Sequence, residues 1–439
     1  MALLTRRVLL SLFSGVLIGE VIINQFSVVD TLHALVDLTA QLLTTPWILK
    51  TFGFIFLMGA VMHLMERSGG VSGFVHMLTH RLAVVKSDRA ALLLVYAIGV
   101  VIFIESTITV LVAGSIGRPL CDARGISRAK LAFVADSTSA PVSSVLMFNG
   151  WGALMLGLIT AQIGQGVMGG ESVAWLMEAV VLNFYALVAL VVTFLAIWFR
   201  IDLGAMKTAL VKNEVGEVRE KGHPMYMIVP ILMMVGGVFL FLYITGEGEI
   251  VKGSGSSSIF YTMLVTLAAM GLFFVLKGVM PLKTVIRESV DGIRAMQAMV
   301  LILLFAFAIG QVTGEMKTGV YLASYADAVL SPVWLAAVIF LLSAVMSFST
   351  GTSWGTFSIM VPIAVPLAVG MDADIALVLG AVISGGVFGD HCSPISDTTI
   401  ITSMATGCDH VEHVKTQLPY ALISGAIAFA LFALFGMLR

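Results

Sequence analysis

Apolar runs of about 20 residues, enough for a helix to cross a bilayer, recur from one end of this chain to the other. No run of about ten alternating residues suggests a membrane β-strand. The pattern predicts helices over about 8–24, 46–64, 172–199, 225–245, 259–280, 293–313 and 418–437. Two further stretches have polar centres. The first, about 90–117, carries Phe103-Ile104-Glu105-Ser106-Thr107-Ile108-Thr109, and the second, about 332–370, carries Ser347-Phe348-Ser349-Thr350-Gly351-Thr352-Ser353. Two others, about 126–163 and 375–405, hold the clusters Asp136-Ser137-Thr138-Ser139-Ala140-Pro141-Val142-Ser143-Ser144 and Asp390-His391-Cys392-Ser393-Pro394-Ile395-Ser396-Asp397-Thr398. Ser139 to Ser143 and Cys392 to Ser396 read as two copies of one pattern. An intramembrane carboxylate costs roughly 2.5 kcal/mol or more, and a broken helix is tolerated only where its freed backbone lines a cavity. Paired broken segments are a sequence sign of a secondary transporter.

Loop charges orient these segments, since Lys and Arg mark cytoplasmic loops. Arg6 and Arg7 put the N-terminus inside, and the run after it reads as a first membrane helix rather than a cleaved signal, with no A-x-A site. The stretch 31–45 lies along the outer face. The loops Arg67 to Arg89 and Arg118 to Lys130 are both basic, so the segment between them must enter from the inside and turn back as a re-entrant hairpin. The second hairpin has acidic flanks, Asp327 on one side and Asp372 and Asp374 on the other, and enters from outside. The Gly253 to Ser258 stretch is an external loop, Lys277, Lys283, Arg287 and Arg294 mark a cytoplasmic landing, and the C-terminus ends outside. The fold class is therefore all-α and polytopic. It has two inverted-topology repeats, 1–199 and 259–439, each with a hairpin and a broken helix, joined by a cytoplasmic loop and linking helix over 200–258. Such repeats place a substrate site near the bilayer midplane.

Composition fits a membrane protein: of 439 residues 59% are hydrophobic and only 11% charged, too few to cover a soluble surface. The net charge of −2 argues against a nucleic-acid partner. Cys121, Cys392 and Cys408 lack CxxC spacing, and no structural disulfide is expected. Gly164 to Gly169 fits GxGxxG but follows a membrane helix rather than a strand, and His410-Val411-Glu412-His413 is not the HExxH zinc helix, so its histidines are expected on the surface. No P-loop is present, which disfavours direct ATP drive. No nucleophile–base or metal-ligand constellation supports an enzyme.

Sodium takes hard oxygen donors: hydroxyls, carboxylates and carbonyls freed at a helix break. Each hairpin tip is expected to meet the break of its own repeat. Site 1 would join Glu105, Ser106, Thr107 and Thr109 to Asp136, Ser137, Thr138, Ser139 and Ser143. Site 2 would join Ser349, Thr350, Thr352 and Ser353 to Asp390, His391, Ser393, Ser396, Asp397 and Thr398. Burial raises a carboxylate's proton affinity and a bound cation lowers it, so one acid holds either a proton or sodium. Plainer roles stand beside these. Membrane hydroxyls often bond back to carbonyls, Glu105 and Asp397 could cap helices, and His391 could relay protons or simply pack. Asn149 and Trp151 either line the cavity or pack. Gln311, Thr313 and Glu315 face an external vestibule or form an ordinary solvated helix end.

The run Ala135 to Pro141 followed by Asn149-Gly150-Trp151-Gly152-Ala153 resembles the NhaC-type sodium/proton antiporter family. So do Gly351 to Phe357, Met360 to Pro366, and most specifically Gly389 to Thr399, with Ile309 to Glu315 a weaker match. The resemblance covers roughly 45–437. It implies the ion transporter superfamily fold of inverted repeats with re-entrant hairpins, frequent homodimers, a place in the bacterial cytoplasmic (inner) membrane, and Asp136, Asp390 and Asp397 as cation or proton ligands. It brings sodium and protons as transported ions and no cofactor. Because some similar proteins exchange malate and lactate or carry amino acids, two functions stand: a sodium/proton antiporter working by alternating access, or a sodium- or proton-coupled carrier of a small organic solute.

Overall fold

The computed structural model describes residues 8–70, 73, 74, 77, 87–103, 106–146, 149–209, 222–317, 321 and 331–438, and all regular structure among them is helical. Ten helical segments among these residues are long and apolar enough to cross a membrane. The chain is an integral membrane protein.

Helices α1 (Val8–Ile23), α2 (Val28–Thr44) and α3 (Pro46–Arg67) come first. Ser27 caps α2 by accepting from the Asp30 N–H, and Pro46 opens α3, where a missing N–H has no intrahelical partner to lose. The stretch expected to lie flat is thus mostly the helix α2, with Val28, Val29, Leu32 and Val36 exposed. Next, α4 (Asp88–Val101) and α5 (Ser106–Asp122) pack against each other. Their 14 and 17 residues fall short of the roughly 20 needed to span.

The first broken segment comprises α6 (Arg128–Ser137), α7 (Ala140–Val145) and α8 (Gly150–Gly164). Pro141 lies in the first turn of α7, where proline is tolerated. The single helix expected over 172–199 is two, α9 (Ser172–Val181) and α10 (Phe184–Trp198). Asn183 interrupts it: its side-chain oxygen accepts from the Ala186 N–H and starts α10 afresh.

Then come α11 (Met225–Thr245) and α12 (Gly255–Leu276). Of the Gly253 to Ser258 stretch, expected as an external loop, residues 255–258 form the first turn of α12, where Ser257 accepts from Lys50 Nζ at 2.8 Å. The basic landing is likewise a helix, α13 (Leu282–Ala295), amphipathic and laid along α3, and α14 (Gln297–Glu315) follows. The second hairpin is α15 (Pro332–Thr350) and α16 (Ser353–Gly370). Gly351 turns the chain between them at φ +68°, a conformation that glycine adopts without strain. The second broken segment is α17 (Ile375–Cys392) and α18 (Asp397–Thr406). The last helix, α19 (His410–Leu438), starts about two turns before the expected 418 and runs through Pro419.

Burial ranks these pieces. In the most apolar window of each segment, 88% of Arg128–Gly164 and 89% of Ile375–Cys392 is enclosed by protein, against 28% of α11. The broken segments form the centre and α11 faces outward. Close approach makes this possible: Gly385 and Gly389, one turn apart on α17, lie against the backbone of α15. A Cβ on Gly389 would stand 2.6 Å from the Phe348 nitrogen. Gly389→Val should therefore lower the detergent melting temperature by the equivalent of about 1–3 kcal/mol of overpacking. Unchanged melting would remove the close-packing argument.

Candidate functional site

A cavity of about 420 Å³ opens where the hairpins meet the second break. Ser106 and Thr107 from α5 face it, with Thr352, Ser353 and Trp354 from the start of α16, Trp151 from α8, and Asp390, Asp397 and Thr398 from the second broken segment. Met58, Met62, His63 and Glu66 of α3, Met296 between α13 and α14, and Met299 of α14 also line it. Two helix N-termini, those of α5 and α16, thus meet the same space. Among the described residues, no lysine or arginine lines it.

Asp390 lies in the last turn of α17 and is buried, 3% exposed. Ser353 Oγ donates to its Oδ2 at 2.8 Å. Its Oδ1, with Ser396 beside it, meets no partner at hydrogen-bonding geometry. Asp397 is near enough to interact electrostatically, and its own Oδ1 accepts from the neighbouring Thr398 N–H at 2.8 Å. Asp390, Asp397 and Glu66 facing a space without a lysine or arginine favour a cation there. Among the described residues no group of three or more His, Cys, Asp or Glu could hold a metal ion. The donor set is hydroxyls, carbonyls and carboxylates, the hard oxygens that a monovalent cation takes.

Each hairpin is fastened to a break in a similar way. Ser393 Oγ donates to the Phe348 carbonyl at 2.7 Å, and Ser347 Oγ to the Gly386 carbonyl at 2.6 Å. In the first half Ser143 Oγ donates to the Phe103 carbonyl at 3.2 Å and Asn149 Nδ2 to the same oxygen at 3.0 Å. Asn149 also caps α8 through the Trp151 and Gly152 N–H groups. Trp151 meets Trp354 edge to face at 6.4 Å between ring centroids.

Asp136 lies elsewhere than its expected grouping. It is fully buried, and among the described residues its hydrogen-bond partners come from the second half of the chain. Gln417 Nε2 donates to Oδ2 at 2.8 Å, Thr402 Oγ1 to Oδ1 at 3.3 Å and Thr399 Oγ1 to Oδ2 at 3.4 Å. His413 Nε2 stands 3.6 Å from Oδ2. His413, expected on the surface, is completely enclosed. The reason is that α19 begins at His410, which turns His413 and Gln417, four residues apart, onto its inner face. Ser106 and Thr107 instead share the cavity with Asp390 and Asp397. Neither Asp136 nor Asp390 forms an ion pair with a lysine or arginine among the described residues.

His391 ties the halves together. Its Nε2 is 3.2 Å from Ser137 Oγ, its Nδ1 2.7 Å from the Tyr185 hydroxyl, and its carbonyl accepts from Gln417 at 2.6 Å. Asn183 extends this network, donating to Ser144 Oγ at 2.9 Å and accepting from Ser384 Oγ at 2.9 Å. Asn183, Tyr185, Thr399, Thr402, His413 and Gln417 did not figure among the sequence candidates. One signal for them existed: hydroxyls at 399, 402, 403 and 406 recur at helical spacing. The remaining candidates bond locally. Thr138, Ser139, Ser349 and Thr350 donate to carbonyls at 134, 136, 345 and 346, Thr109 to the Ile102 carbonyl, and Ser396 pairs with Thr398. Thr352 caps α16. Glu105 lies outside the described residues.

A second cavity, about 520 Å³, lies at the other ends of α3 and α14, lined by Gln41, Trp47, Ile48, Gln165, Gln311 and Glu315 among others. Between the cavities Phe307 packs against Trp47 and Phe52, at centroid distances of 5.1 and 6.1 Å. Ile48 lines one cavity and Met58 the other, ten residues apart on one helix, so this aromatic septum is about 15 Å thick. Beside His63 of the first cavity's wall, Glu288 of α13 accepts from Arg287 at 2.7 Å and approaches His63 at 3.1 Å and Arg67 at 3.3 Å. The Arg287 guanidinium holds its carboxyl below the usual range.

The arrangement is that of a secondary transporter, and comparison with known proteins makes it specific. Residues 149–437 match the profile of the Na+/H+ antiporter family, and the chain belongs to that family. It is 34% identical, over 96% of its length and 86% of the relative's, to an uncharacterized protein of Haemophilus influenzae. It is 38% identical over 25% of its length to a second protein of that organism, an uncharacterized Na+/H+ antiporter, covering 23% of it. The crystal structure of the Alcanivorax borkumensis YdaH transporter superposes with a TM-score of 0.63 at 14% identity, covering 93% of this chain and 89% of that one, a likeness of fold.

Proposed function

We propose that this chain exchanges sodium for protons by alternating access, with sodium held at Asp390 and Asp397 and the proton at Asp136. The carrying observation is the pair of buried carboxylates, Asp136 and Asp390, set in two helix breaks among hydroxyls and without a lysine or arginine partner among the described residues. The two acids interact electrostatically. A cation at one therefore opposes a proton at the other, which is the physical requirement for exchange. The inverted repeats 1–199 and 259–439, joined over 200–258, supply two related gates. The similar fastening of each hairpin to Phe103 or Phe348 supports that division. The basic loops support a cytoplasmic N-terminus, with the protein in a bacterial cytoplasmic membrane and the 420 Å³ cavity opening inward.

The test is a sodium pulse on proteoliposomes holding a pH dye. The expected result is sodium-driven proton movement with no organic solute present. A second reading draws on the size of the cavity and its wall of Trp151, Trp354 and methionines, which could hold an apolar solute body. If protons move only after an amino acid or dicarboxylate is added, the exchanger reading fails and this one replaces it.

A further inference from the structure

Close to Asp136, and away from the cavity, two histidines share one hydroxyl. His410, partly exposed at the start of α19, has Nε2 2.7 Å from the Pro394 carbonyl. His413, one turn deeper, has Nε2 2.9 Å from Gln417 Oε1. Both partners only accept, since the Gln417 amide nitrogen faces Asp136 Oδ2 and the His391 carbonyl. Both Nε2 atoms therefore carry hydrogen, and in a neutral imidazole the other nitrogen is then bare. The two Nδ1 atoms converge on Ser403 Oγ, at 3.1 Å from His410 and 2.9 Å from His413. One hydroxyl has one hydrogen, and the Thr399 carbonyl at 2.7 Å competes for it. With both rings neutral the cluster is short of hydrogen. One added proton on either ring completes it, that Nδ1–H donating to Ser403 Oγ.

We propose that His410, Ser403 and His413 are a proton relay between one face of the protein and Asp136, separate from the cavity through which the cation reaches Asp390. The proposal rests on the antiport reading. The face is the one carrying the loop before α6, because Arg128 Nη1 reaches the Gly407 carbonyl at 3.4 Å. The step balances through O–H and N–H bonds alone. His410 takes a proton from solvent and passes one from Nδ1 to Ser403 Oγ as that hydroxyl gives its own to His413 Nδ1. His413 then gives its Nε2 proton to Asp136 Oδ2, 3.6 Å away, and is left neutral with hydrogen on Nδ1. After the site has opened to the opposite face, sodium binding expels the proton to that side. Among the described residues the titratable groups facing His413 are Asp136 from α6, His391 from α17 and His410 from its own helix. From α18 it meets the Ser403 hydroxyl.

The experiment reconstitutes the full chain and its His410→Gln, Ser403→Ala and His413→Gln variants and reads two modes. One is proton movement on a sodium pulse, and the other is isotopic sodium–sodium exchange at equal pH, which needs no proton. The relay predicts that sodium-driven proton movement falls at least about tenfold, more steeply as pH rises and protons grow scarce, while sodium–sodium exchange continues. His410→Gln, at the surface end, keeps the test open if a buried variant fails to fold. Equal loss of both modes in every folded variant assigns the cluster to structure and overturns the relay, and so does proton movement at the wild-type rate and pH profile. A wild type that moves no protons on a sodium pulse overturns the antiport reading and the relay together.

Discussion

Asp136→Asn should abolish sodium-driven proton movement, by about a hundredfold or more, in a chain that still inserts and folds. Asparagine keeps the shape of the side chain and an oxygen that accepts from Gln417, so the contacts at 2.8 and 3.3 Å have a counterpart in the variant. What it loses is the ability to change protonation state. Its burial is complete, and a neutral amide costs less to enclose than an ionised carboxylate, so stability should hold. Proteoliposome assays alongside a melting curve separate the two effects. Wild-type turnover in Asp136→Asn would remove it from the proton site.

Asp390→Asn should be as inactive, for a different measurable reason. Asp390 faces the cavity with one oxygen held by Ser353 and the other without a partner at hydrogen-bonding geometry, so it is the better placed of the two to meet a cation. Sodium stabilises a protein that binds it, by about 2.7 kcal/mol at a hundred times its Kd. That sodium-dependent rise in melting temperature should vanish in Asp390→Asn and persist in Asp136→Asn. A full sodium shift in Asp390→Asn would move the cation elsewhere.

The interruptions of the apolar runs could be read from the sequence because proline, glycine and clustered hydroxyls break helices in ways few other structures tolerate. Pro141, Pro394 and Gly351 each fall at or beside such an interruption. Asn183 escaped notice because one asparagine barely dents the hydropathy of its neighbours, although its capping oxygen splits the helix. The first two turns of α19 read as loop because Glu412 and Lys415 are charged. In fact Lys415 is exposed while His413, Thr416 and Gln417 face the protein, the pattern of an amphipathic turn. The acids themselves stood out, but not their neighbours. The sequence repeat suggested that each acid belongs with its own hairpin, whereas Asp136 is held by α18 and α19. Which distant helix supplies a partner depends on tertiary packing, and periodicity carries no record of it.

The aromatic septum of Trp47, Phe52 and Phe307 has an electrical consequence. Where the two cavities admit water, they carry the potential of their own compartments inward, so a membrane voltage falls mainly across the roughly 15 Å between them instead of the roughly 30 Å of the hydrocarbon. The field there is about doubled. A charge translocated past Phe307 experiences nearly the whole drop, about 2.3 kcal/mol per 100 mV, within a few side-chain lengths.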